Sequence, residues 1–310
     1  MISKPRVLTA GITRGRLYEG PYWSPAHECL WWTDIAAQTV FCRSESTGAI
    51  RQFPMAEKVS AVVETAESLL LITGRRNLWV MDPVSGGHTS LLELSDEPHG
   101  NRCNDAKCDP YGNLWFGTMD EAEIFNSGTL WCLTKSGQLL RFFDGIGISN
   151  TLAWDTARQR MYFADSKAAT IFVMDFRLVD EVPELGPRQV FAGPGAAPGG
   201  PDGSALDNQG HLWNARWDGG CVVNFDQEGR VCGVVDVGAK RPTSCAFVGS
   251  CLQTLVVTTA AVGLGDLPID SLDGHVLALN VGASGQPVPA YGGAGFVRLA
   301  SLRQESLGRT

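Results

Sequence analysis

Four segments of this sequence begin with an oxygen-bearing side chain of the kind that binds a hard metal ion. A short hydrophobic run follows each of them about ten residues later. The candidate residues at the equivalent positions are Glu19, Asn104, Asn150 and Asp202. An internal repeat places equivalent positions at equivalent places in space. The spacing therefore predicts one site that is assembled from four repeats.

The chemistry of this set is that of a divalent cation site. Two carboxylates and one or two amide oxygens form a hard oxygen set, which suits Ca²⁺, Mg²⁺ or Mn²⁺. The carboxylates neutralise the ion, whereas the amides add ligands without cancelling charge, so the ion stays a Lewis acid toward a carbonyl or water. The set contains no His or Cys, which disfavours a structural zinc site.

Turn formation is the alternative explanation for any one of these residues, because Asn and Asp commonly cap strands and loops. Glu19 is harder to explain in this way, since Glu is not a turn former and Gly20-Pro21 follows it directly. The occurrence of all four residues in phase with the repeat favours the metal site.

Three further side chains are candidates for contact with a ligand. Arg102 stands two residues before Asn104, and its fork of donors suits hydroxyls or a carboxylate, although a loop arginine also commonly pairs with a surface acid. Lys107 and Glu121 are weaker candidates on the same segment of the chain.

The elements that must position these residues repeat six times. Hydrophobic runs start near Leu30, Leu69, Leu114, Met161, Leu212 and Leu252, at intervals of roughly 39, 45, 47, 51 and 40 residues. Short β-branched and aromatic runs between Gly, Asp and Asn turns predict strands, and about 40–50 residues with four strands is typical of a propeller blade. The sequence thus predicts an all-β, six-bladed β-propeller with four antiparallel strands per blade.

The ends of the chain fit this arrangement. Residues 6–10 precede the first copy and are predicted to form the outer strand of the last blade, which closes the ring and removes an exposed edge. We expect one propeller domain over residues 1–295 and a short tail over 296–310. The innermost strand of each blade lines the central channel, so the leading residues of these strands meet at one mouth.

Composition limits the classes of partner. The formal net charge of −8 and the lack of a Lys/Arg cluster argue against binding to nucleic acid or to an anionic membrane. The N-terminus lacks the apolar core of a signal peptide, and no run approaches the ~18 apolar residues of a membrane span. Nine scattered cysteines without a CxxC pair indicate reduced thiols in a cytoplasmic protein. The oligomeric state stays open between monomer and dimer.

The motifs that carry the candidate residues resemble a known family. They are Glu19-Gly-Pro-Tyr-Trp23, the run from Asn101 to Asn113, Gly147-Ile-Ser-Asn150 with Tyr162-Phe-Ala-Asp165-Ser166, and Pro201-Asp-Gly203 with Gly210-His-Leu-Trp213. Together they are similar to the regucalcin/gluconolactonase family of sugar lactonases, the senescence-marker-protein-like propellers. The resemblance runs from about residue 15 to 292 and implies the same six-bladed fold.

The resemblance also implies roles for individual residues. Glu19, Asn150 and Asp202 match the metal ligands of the family, and Asp202 also matches its proposed general base. Arg102 and Asn104 match its substrate contacts, and the acid-rich stretch after Gly-Thr-Met makes Glu121 a third candidate contact. The family hydrolyses aldonolactones to aldonic acids with one divalent ion, which is Ca²⁺, Zn²⁺, Mg²⁺, Mn²⁺ or Fe²⁺ depending on the member.

We therefore expect a lactonase that acts on a small sugar lactone, such as a glucono-, xylono- or arabinonolactone. The first alternative is a non-catalytic, regucalcin-like calcium-binding propeller, which predicts exposed apolar or charged patches that the loops lack. The second is a metal hydrolase for other esters, such as phosphotriesters or aromatic lactones. That activity favours an apolar mouth, whereas this mouth carries Asn101, Arg102 and Asn104.

Overall fold

Short antiparallel strands account for almost all of the regular structure. The computed structural model describes residues 2–293 together with Gly295 and Val297. This part of the chain contains 25 β-strands in six antiparallel sheets, one for each copy of the repeat. The sheets surround a central channel, because the innermost strands of successive blades lie side by side. The predicted all-β, six-bladed β-propeller is confirmed.

The strands of the first three blades follow the sequence order from the channel outward. The N-terminal strand β1 (Arg6–Val7) belongs to the last blade. The first blade contains β2 (Tyr18–Ser24), β3 (Cys29–Asp34), β4 (Thr39–Ser44) and β5 (Ile50–Pro54). The second contains β6 (Ala61–Glu64), β7 (Leu70–Thr73), β8 (Asn77–Met81) and β9 (His88–Glu93). The third contains β10 (Asn101–Cys108), β11 (Leu114–Asp120), β12 (Gly128–Leu133) and β13 (Leu139–Ile146).

The fourth blade departs from the four-strand plan. It contains β14 (Ser149–Asp155), β15 (Arg160–Asp165), β16 (Thr170–Val179), β17 (Val182–Leu185) and β18 (Gln189–Ala192). The long β16 pairs with β18 in the blade and extends beyond it to form a hairpin with β17. This inserted hairpin explains why the interval of the repeat is longest here.

The last two blades close the ring. The fifth contains β19 (Gly200–Leu206), β20 (Leu212–Trp217), β21 (Cys221–Phe225) and β22 (Val231–Asp236). The sixth contains β23 (Pro242–Val248), β24 (Thr254–Thr259) and β25 (Val276–Leu279), with β1 as its outermost strand. Because β1 pairs with β25 and β23 lies beside β2, both ends of the propeller are held in one sheet. The predicted closure by an N-terminal strand is confirmed.

The turns that end the innermost strands are held by buried carboxylates. Asp109 accepts hydrogen bonds from the backbone N–H groups of Tyr111 and Asn113 at 2.8 and 3.0 Å, and from Trp115 Nε1 at 2.9 Å. Asp207 accepts the equivalent bond from Trp213 Nε1 at 3.0 Å. Each acid joins its turn to a tryptophan of the next strand, so these acids are structural and stand apart from the candidate ligands.

Two sequence expectations concern the chain ends and membranes. Within the described residues, no helix is long and apolar enough to cross a bilayer. The expected tail over 296–310 lies outside the described residues except for Val297, which is buried in the hydrophobic cluster of the first three blades. The division into a propeller over 1–295 and a tail stays a proposal.

Candidate metal centre and active site

A β-bulge lies at or directly after each candidate ligand in its innermost strand. Antiparallel pairing with the second strand of the blade shifts between Glu19 and Tyr22, Cys103 and Ala106, Asn150 and Ala153, and Pro201 and Ser204. A bulge re-aims the side chains beside it and is common next to active sites. The same irregularity therefore accompanies all four polar side chains at equivalent positions of the innermost strands.

The second blade supports this interpretation because it lacks both features. Its innermost strand β6 pairs without a register shift from Ala61 to Glu64, and no candidate ligand stands at its head. The sixth blade has a shift between Pro242 and Ser244. The Thr243 hydroxyl at this shift donates to the Tyr18 carbonyl at 2.5 Å, next to Glu19. Polar residues at the mouth thus occur together with bulges.

The candidate side chains contact one another. Asn104 Nδ2 donates to Asn150 Oδ1 at 3.2 Å and to the Ser149 carbonyl at 2.9 Å. Asn150 Nδ2 donates to Ser166 Oγ at 2.8 Å, which directs its oxygen toward Asn104 and the channel. The charges of Glu19 and Asp202 are close enough to act on each other. The structure therefore brings the four predicted residues together.

Two carboxylates, the half-buried Glu19 and the buried Asp202, dominate the electrostatics of the site. Burial raises the pKa of Asp202 well above its usual range, and the charges of Glu19 and Asp105 raise it further. Burial and the charge of Asp105 raise the pKa of Glu19 to about 8. Asp202 Oδ1 is buried and accepts no hydrogen bond from the described residues. Buried like charges are costly unless a cation lies between them, so these residues fit a divalent metal ion.

The predicted ligand set contains few charged side chains. Among the described residues, no three side chains of His, Cys, Asp or Glu form a group that could hold a metal ion. The site predicted here contains only two carboxylates, Glu19 and Asp202, and takes its remaining oxygen from the amide of Asn150. Such a set provides oxygen ligands alone, which hard divalent ions prefer.

Arg102 lies beside these residues and is 9% exposed. Its Nη1 donates to the Cys103 carbonyl at 2.9 Å and to Asn104 Oδ1 at 2.7 Å. Within the described part of the chain, Nε and Nη2 have no acceptor, so these donors are available to ligand oxygens. Asn104 is more fully engaged, because both of its amide protons are donated to the protein and only a lone pair of Oδ1 remains.

Glu121 lies on the rim of the same mouth and is held by two cations. Its carboxylate forms ion pairs with Lys58 and with Arg75, whose Nε lies 3.2 Å away. Burial alone would raise the pKa of Glu121, but the hydrogen bond from Lys58 and the two positive charges lower it below its usual value. The contact between Glu121 and a substrate, which the resemblance implied, stays a prediction.

Asp105 was missed as a site residue by sequence reasoning, and Lys107 was only a weak candidate. Burial raises the pKa of Asp105 and lowers that of Lys107, whose Nζ donates to the Ser204 carbonyl at 2.6 Å. The charge of Asp105 acts on both Glu19 and Asp202. The sequence did contain a signal for both residues: Asp105 and Lys107 are two positions apart in a strand that lines the channel, so their side chains lie on the same face.

The far half of the channel is a separate, mostly apolar cavity of about 850 Å³. Asp105 and Lys107 line it together with Trp23, Trp154 and Phe247, but the four candidate ligands do not. The polar chemistry is therefore concentrated at one mouth, beyond Asp105, while the cavity opens toward the opposite face.

Comparison with protein families gives a match over most of the chain. Residues 17–261 match the family model described as the SMP-30/Gluconolactonase/LRE-like region. All four candidate ligands lie within the matched residues.

Individual relatives cover nearly the whole propeller. Pentonolactonase XacC of Haloferax volcanii is 33% identical over 283 residues, which are 89% of this chain and 94% of that relative. L-arabinolactonase of Azospirillum brasilense is 34% identical over 259 residues, covering 82% of this chain and 84% of the relative. The crystal structure of a calcium-binding protein, regucalcin from Agrobacterium tumefaciens, is similar with a TM-score of 0.85 and 29% identity, covering 94% of this chain and 97% of that one.

Proposed function

The chain belongs to the SMP-30/gluconolactonase/LRE-like family, and we propose that this lactonase hydrolyses sugar lactones to aldonic acids with one divalent metal ion. The observation that carries the proposal is the pair of carboxylates formed by the half-buried Glu19 and the buried Asp202, whose pKa values are raised beside the amide of Asn150. Such a pair without a cation is unfavourable, and a lactonase has a use for the cation that relieves it.

Glu19, Asn150 and Asp202 would hold the metal ion. When bound, a divalent ion supplies Lewis acidity toward the lactone carbonyl and the oxyanion that forms from it. An all-oxygen set favours the hard ions Ca²⁺, Mg²⁺ and Mn²⁺, although Zn²⁺ and Fe²⁺ also occur in the family. Asn104 and Ser166 fix the ligand amide of Asn150 from both sides.

Asp202 is the proposed catalytic residue. Its carboxylate accepts a proton from the water that attacks the lactone carbonyl carbon. The bond between that carbon and the ring oxygen then breaks, and the proton held by Asp202 passes to the ring oxygen, which leaves as a hydroxyl. Ring opening thus yields one carboxylic acid and one alcohol in the same molecule. The Oδ1 atom of Asp202 has no acceptor role elsewhere among the described residues, which supports this assignment.

Substrate orientation is assigned to the polar wall of the mouth. Arg102 offers Nε and Nη2 to ring hydroxyls, and the free lone pair of Asn104 Oδ1 accepts a hydroxyl proton. Glu121 completes the proposed set at the rim, where Lys58 and Arg75 hold it. These groups favour a polyhydroxylated lactone, such as glucono-, xylono- or arabinonolactone, and the names of the pentonolactonase and arabinolactonase relatives support the same class.

A hydrolysis panel tests this proposal. Chelated protein is supplied in turn with Ca²⁺, Zn²⁺, Mg²⁺, Mn²⁺ and Fe²⁺, and acid release from glucono-, xylono-, arabinono- and galactonolactone is followed with a pH indicator. We expect metal-dependent hydrolysis of at least one aldonolactone above the spontaneous rate. Failure on every aldonolactone with every metal would reject the proposal.

Two alternatives are distinguished by adding Ca²⁺ calorimetry, an aromatic lactone and a phosphotriester to this panel. A regucalcin-like calcium-binding role, which the similarity to a calcium-binding structure supports, predicts calorimetric binding of Ca²⁺ without hydrolysis. A hydrolase for other esters predicts faster turnover of an aromatic lactone or a phosphotriester than of any aldonolactone. The donors of Arg102 favour the polyol substrate over both.

We also propose that the protein works in the cytoplasm on a small molecule rather than on nucleic acid or a membrane. All nine cysteines are free, which fits a reducing compartment, and the net charge of −8 opposes anionic polymers. Cell fractionation with antibody detection tests the location, and recovery in a secreted or membrane fraction would contradict it.

A further inference from the structure

Asn214 and Arg216 are two polar residues that are buried in the second strand of the fifth blade, β20, where they were not expected to have a role. Their exposed fractions are 0% and 4%. Both lie beside the segment that carries Asp202, since Arg216 pairs in register with Pro201 and Asn214 with Ser204.

Asn214 holds the backbone of Asp202 where the strand is irregular. Its Nδ2 donates to the Asp202 carbonyl at 2.9 Å, to Ser204 Oγ at 2.9 Å and to Thr151 Oγ1 at 3.1 Å. These contacts span the bulge between Pro201 and Ser204, where the register of β19 on β20 shifts. A bulge leaves a residue without its ladder partner. A side-chain amide therefore replaces the missing backbone partner of Asp202.

Arg216 determines which way this amide points. Its Nη1 donates to Asn214 Oδ1 at 2.8 Å. Because a guanidinium only donates, the amide oxygen must face Arg216, and the amide nitrogen must then face the Asp202 carbonyl. With the amide reversed, donor would face donor at Arg216 and acceptor would face acceptor at Asp202.

The same guanidinium also holds the loop that leads into Asp202. Nε donates to the Pro198 carbonyl at 2.8 Å, and Nη2 donates to the Gly199 carbonyl at 2.7 Å. This loop, residues 193–199, is rich in Gly and Pro and lies outside the strands. Arg216 thus joins both the loop before Asp202 and, through Asn214, the carbonyl of Asp202 itself.

Burial lowers the pKa of Arg216 to about 10, and its hydrogen-bond partners in the described residues are neutral oxygens. A buried cation without a hydrogen-bonded carboxylate is unfavourable for folding alone. Arg102 and Asn104 repeat the arrangement in the third blade, where the oriented amide donates to Asn150. Each Arg–Asn pair therefore orients a residue that carries a proposed metal ligand.

From this geometry we propose that Arg216, acting through Asn214, is a positioning residue that fixes Asp202 for metal binding and catalysis. The inference rests on the proposed function, in which Asp202 is a ligand and the base. It predicts that disturbing either residue weakens the metal site without changing how the lactone is recognised.

Three variants and a control separate positioning from general stability. Asn214→Asp keeps the shape and the contact to Arg216 but replaces the donor to the Asp202 carbonyl with an acceptor. Arg216→Met removes the guanidinium, and Arg216→Lys keeps the charge but not the fork. The control is Arg241→Met. Arg241 pairs with Asp218 at 2.7 Å and stacks on Trp217, but within the described residues it makes no hydrogen bond to β19.

The first measurement is calorimetric titration of Mn²⁺ into the chelated full chain, with melting temperatures for each variant. Loss of an outer partner of a ligand typically costs 10–100-fold in metal affinity. We expect a loss in that range for Asn214→Asp and Arg216→Met, an intermediate loss for Arg216→Lys, and none for Arg241→Met. In metal-saturated protein, kcat for the lactone should fall in the same order while KM stays within about threefold.

The outcomes distinguish this inference from the function on which it rests. Wild-type affinity and kcat in Asn214→Asp and Arg216→Met, together with loss of Mn²⁺ binding in Asp202→Asn, would overturn the positioning role and leave the metal site intact. Wild-type Mn²⁺ binding in Asp202→Asn would overturn both. If Arg216→Met fails to fold, Asn214→Asp decides the question, because it preserves volume and the contact to Arg216.

Discussion

In the proposed site Asp202 is both a metal ligand and the general base, and its surroundings suit both roles. It is 5% exposed, and its carboxylate lies near Glu19, Asp105 and Arg102, whose charges act on it. Burial beside two other acids raises its pKa, and a carboxylate whose pKa is raised is the stronger base once it is ionised.

Replacing Asp202 with Asn should therefore cost more in kcat than replacing Asn104 with Ala. The first change removes a base and a charged ligand, whereas the second removes an amide that orients Asn150 and Arg102. Loss of a general base alone typically lowers the rate ~10²–10⁴-fold. Steady-state kinetics at saturating metal measures both variants. Near-wild-type kcat in Asp202→Asn with metal bound would show that another group is the base.

The role of Arg102 is tested by replacement with Lys, which keeps the charge but loses the planar fork. If Nε and Nη2 bind ring hydroxyls, KM should rise for polyhydroxylated lactones and stay nearly constant for an unsubstituted lactone. Hydrogen bonds to a charged group contribute about 1.5–3 kcal/mol when buried, which is roughly a ten- to hundredfold change in selectivity.

The two other outcomes of this experiment have distinct meanings. An equal loss for both lactones would indicate that Arg102 acts through Asn104, to which Nη1 donates at 2.7 Å. An unchanged KM for both would indicate that Arg102 does not serve the substrate at all.

The raised pKa values of the carboxylates predict how stability depends on pH. The pKa of Glu19 rises from its ordinary 4.5 to about 8, so the metal-free folded chain retains a proton that the unfolded chain releases. The stability that this retained proton contributes is complete below the pKa of Glu19 in the unfolded chain. It is lost as the pH rises through the pKa of Glu19 in the folded chain. Calorimetric melting of chelated protein should therefore show a melting temperature that falls by several degrees between about pH 5 and pH 9.

Saturating metal should abolish this fall, because ligand carboxylates are ionised when they bind the ion. The matched control is chelated Glu19→Gln, which lacks the titrating group and should show a weaker dependence. A melting temperature of the chelated wild type that stays constant or rises over this range would contradict the assignment of Glu19 as an acid that is protonated in the metal-free folded chain.

Much of the site at residue level could be predicted, since Glu19, Asn104, Asn150 and Asp202 share one position of the repeat. The contribution of Asp105 could not, because it depends on which charges face it across the channel. Asn214 was also out of reach of sequence reasoning, since it acts on a strand of its own blade whose register is irregular.

At the scale of elements, a bulge accompanies each candidate ligand. Strands were predicted from hydrophobic runs and turns, and most second strands begin within a residue of their expected start. The run at Leu252 was placed too early. Its backbone N–H closes a turn on Gly249 at 3.0 Å, so the strand begins at Thr254 instead. The bulges themselves could not be predicted, because a register shift is a property of two paired strands.

Gly20, directly after Glu19, tests the importance of the first bulge. Its φ is +56°, and a Cβ atom at this position would lie 2.8 Å from the Ser60 carbonyl oxygen of the next blade. Gly20→Ala should therefore displace the strand beside Glu19 and weaken metal binding on the order of tenfold or more. Titration calorimetry with Mn²⁺ measures the change.

The control for this variant is Gly145→Ala. Gly145 has a φ of +75°, and an added Cβ would meet nothing within 4 Å. The left-handed backbone alone costs about 1–2 kcal/mol in either variant. We expect the control to lose stability but to keep its metal affinity. Equal metal affinities for the two variants would mean that the packing of the first bulge on the second blade does not position Glu19.

At the scale of the whole molecule, six blades surround the channel in which the candidate site lies. The ring is closed by β1 on β25, and large hydrophobic clusters lie between neighbouring blades, such as the one that joins Trp115, Trp154 and Phe176. The repeat interval and the N-terminal strand were sufficient to predict this closure. Because the fold buries its core without using the mouth of the channel, we expect the proposed metal ion to have a chemical role rather than a structural one.

The measurement that tests this account most directly is removal and return of the metal. Chelated protein is examined by far-ultraviolet circular dichroism and by hydrolysis of an aldonolactone, and the ion is then added back. We predict an unchanged β-sheet spectrum, loss of hydrolysis on chelation and recovery when the ion returns. Hydrolysis that persists without metal would contradict the proposed mechanism, and collapse of the spectrum on chelation would show that the ion holds the fold together instead.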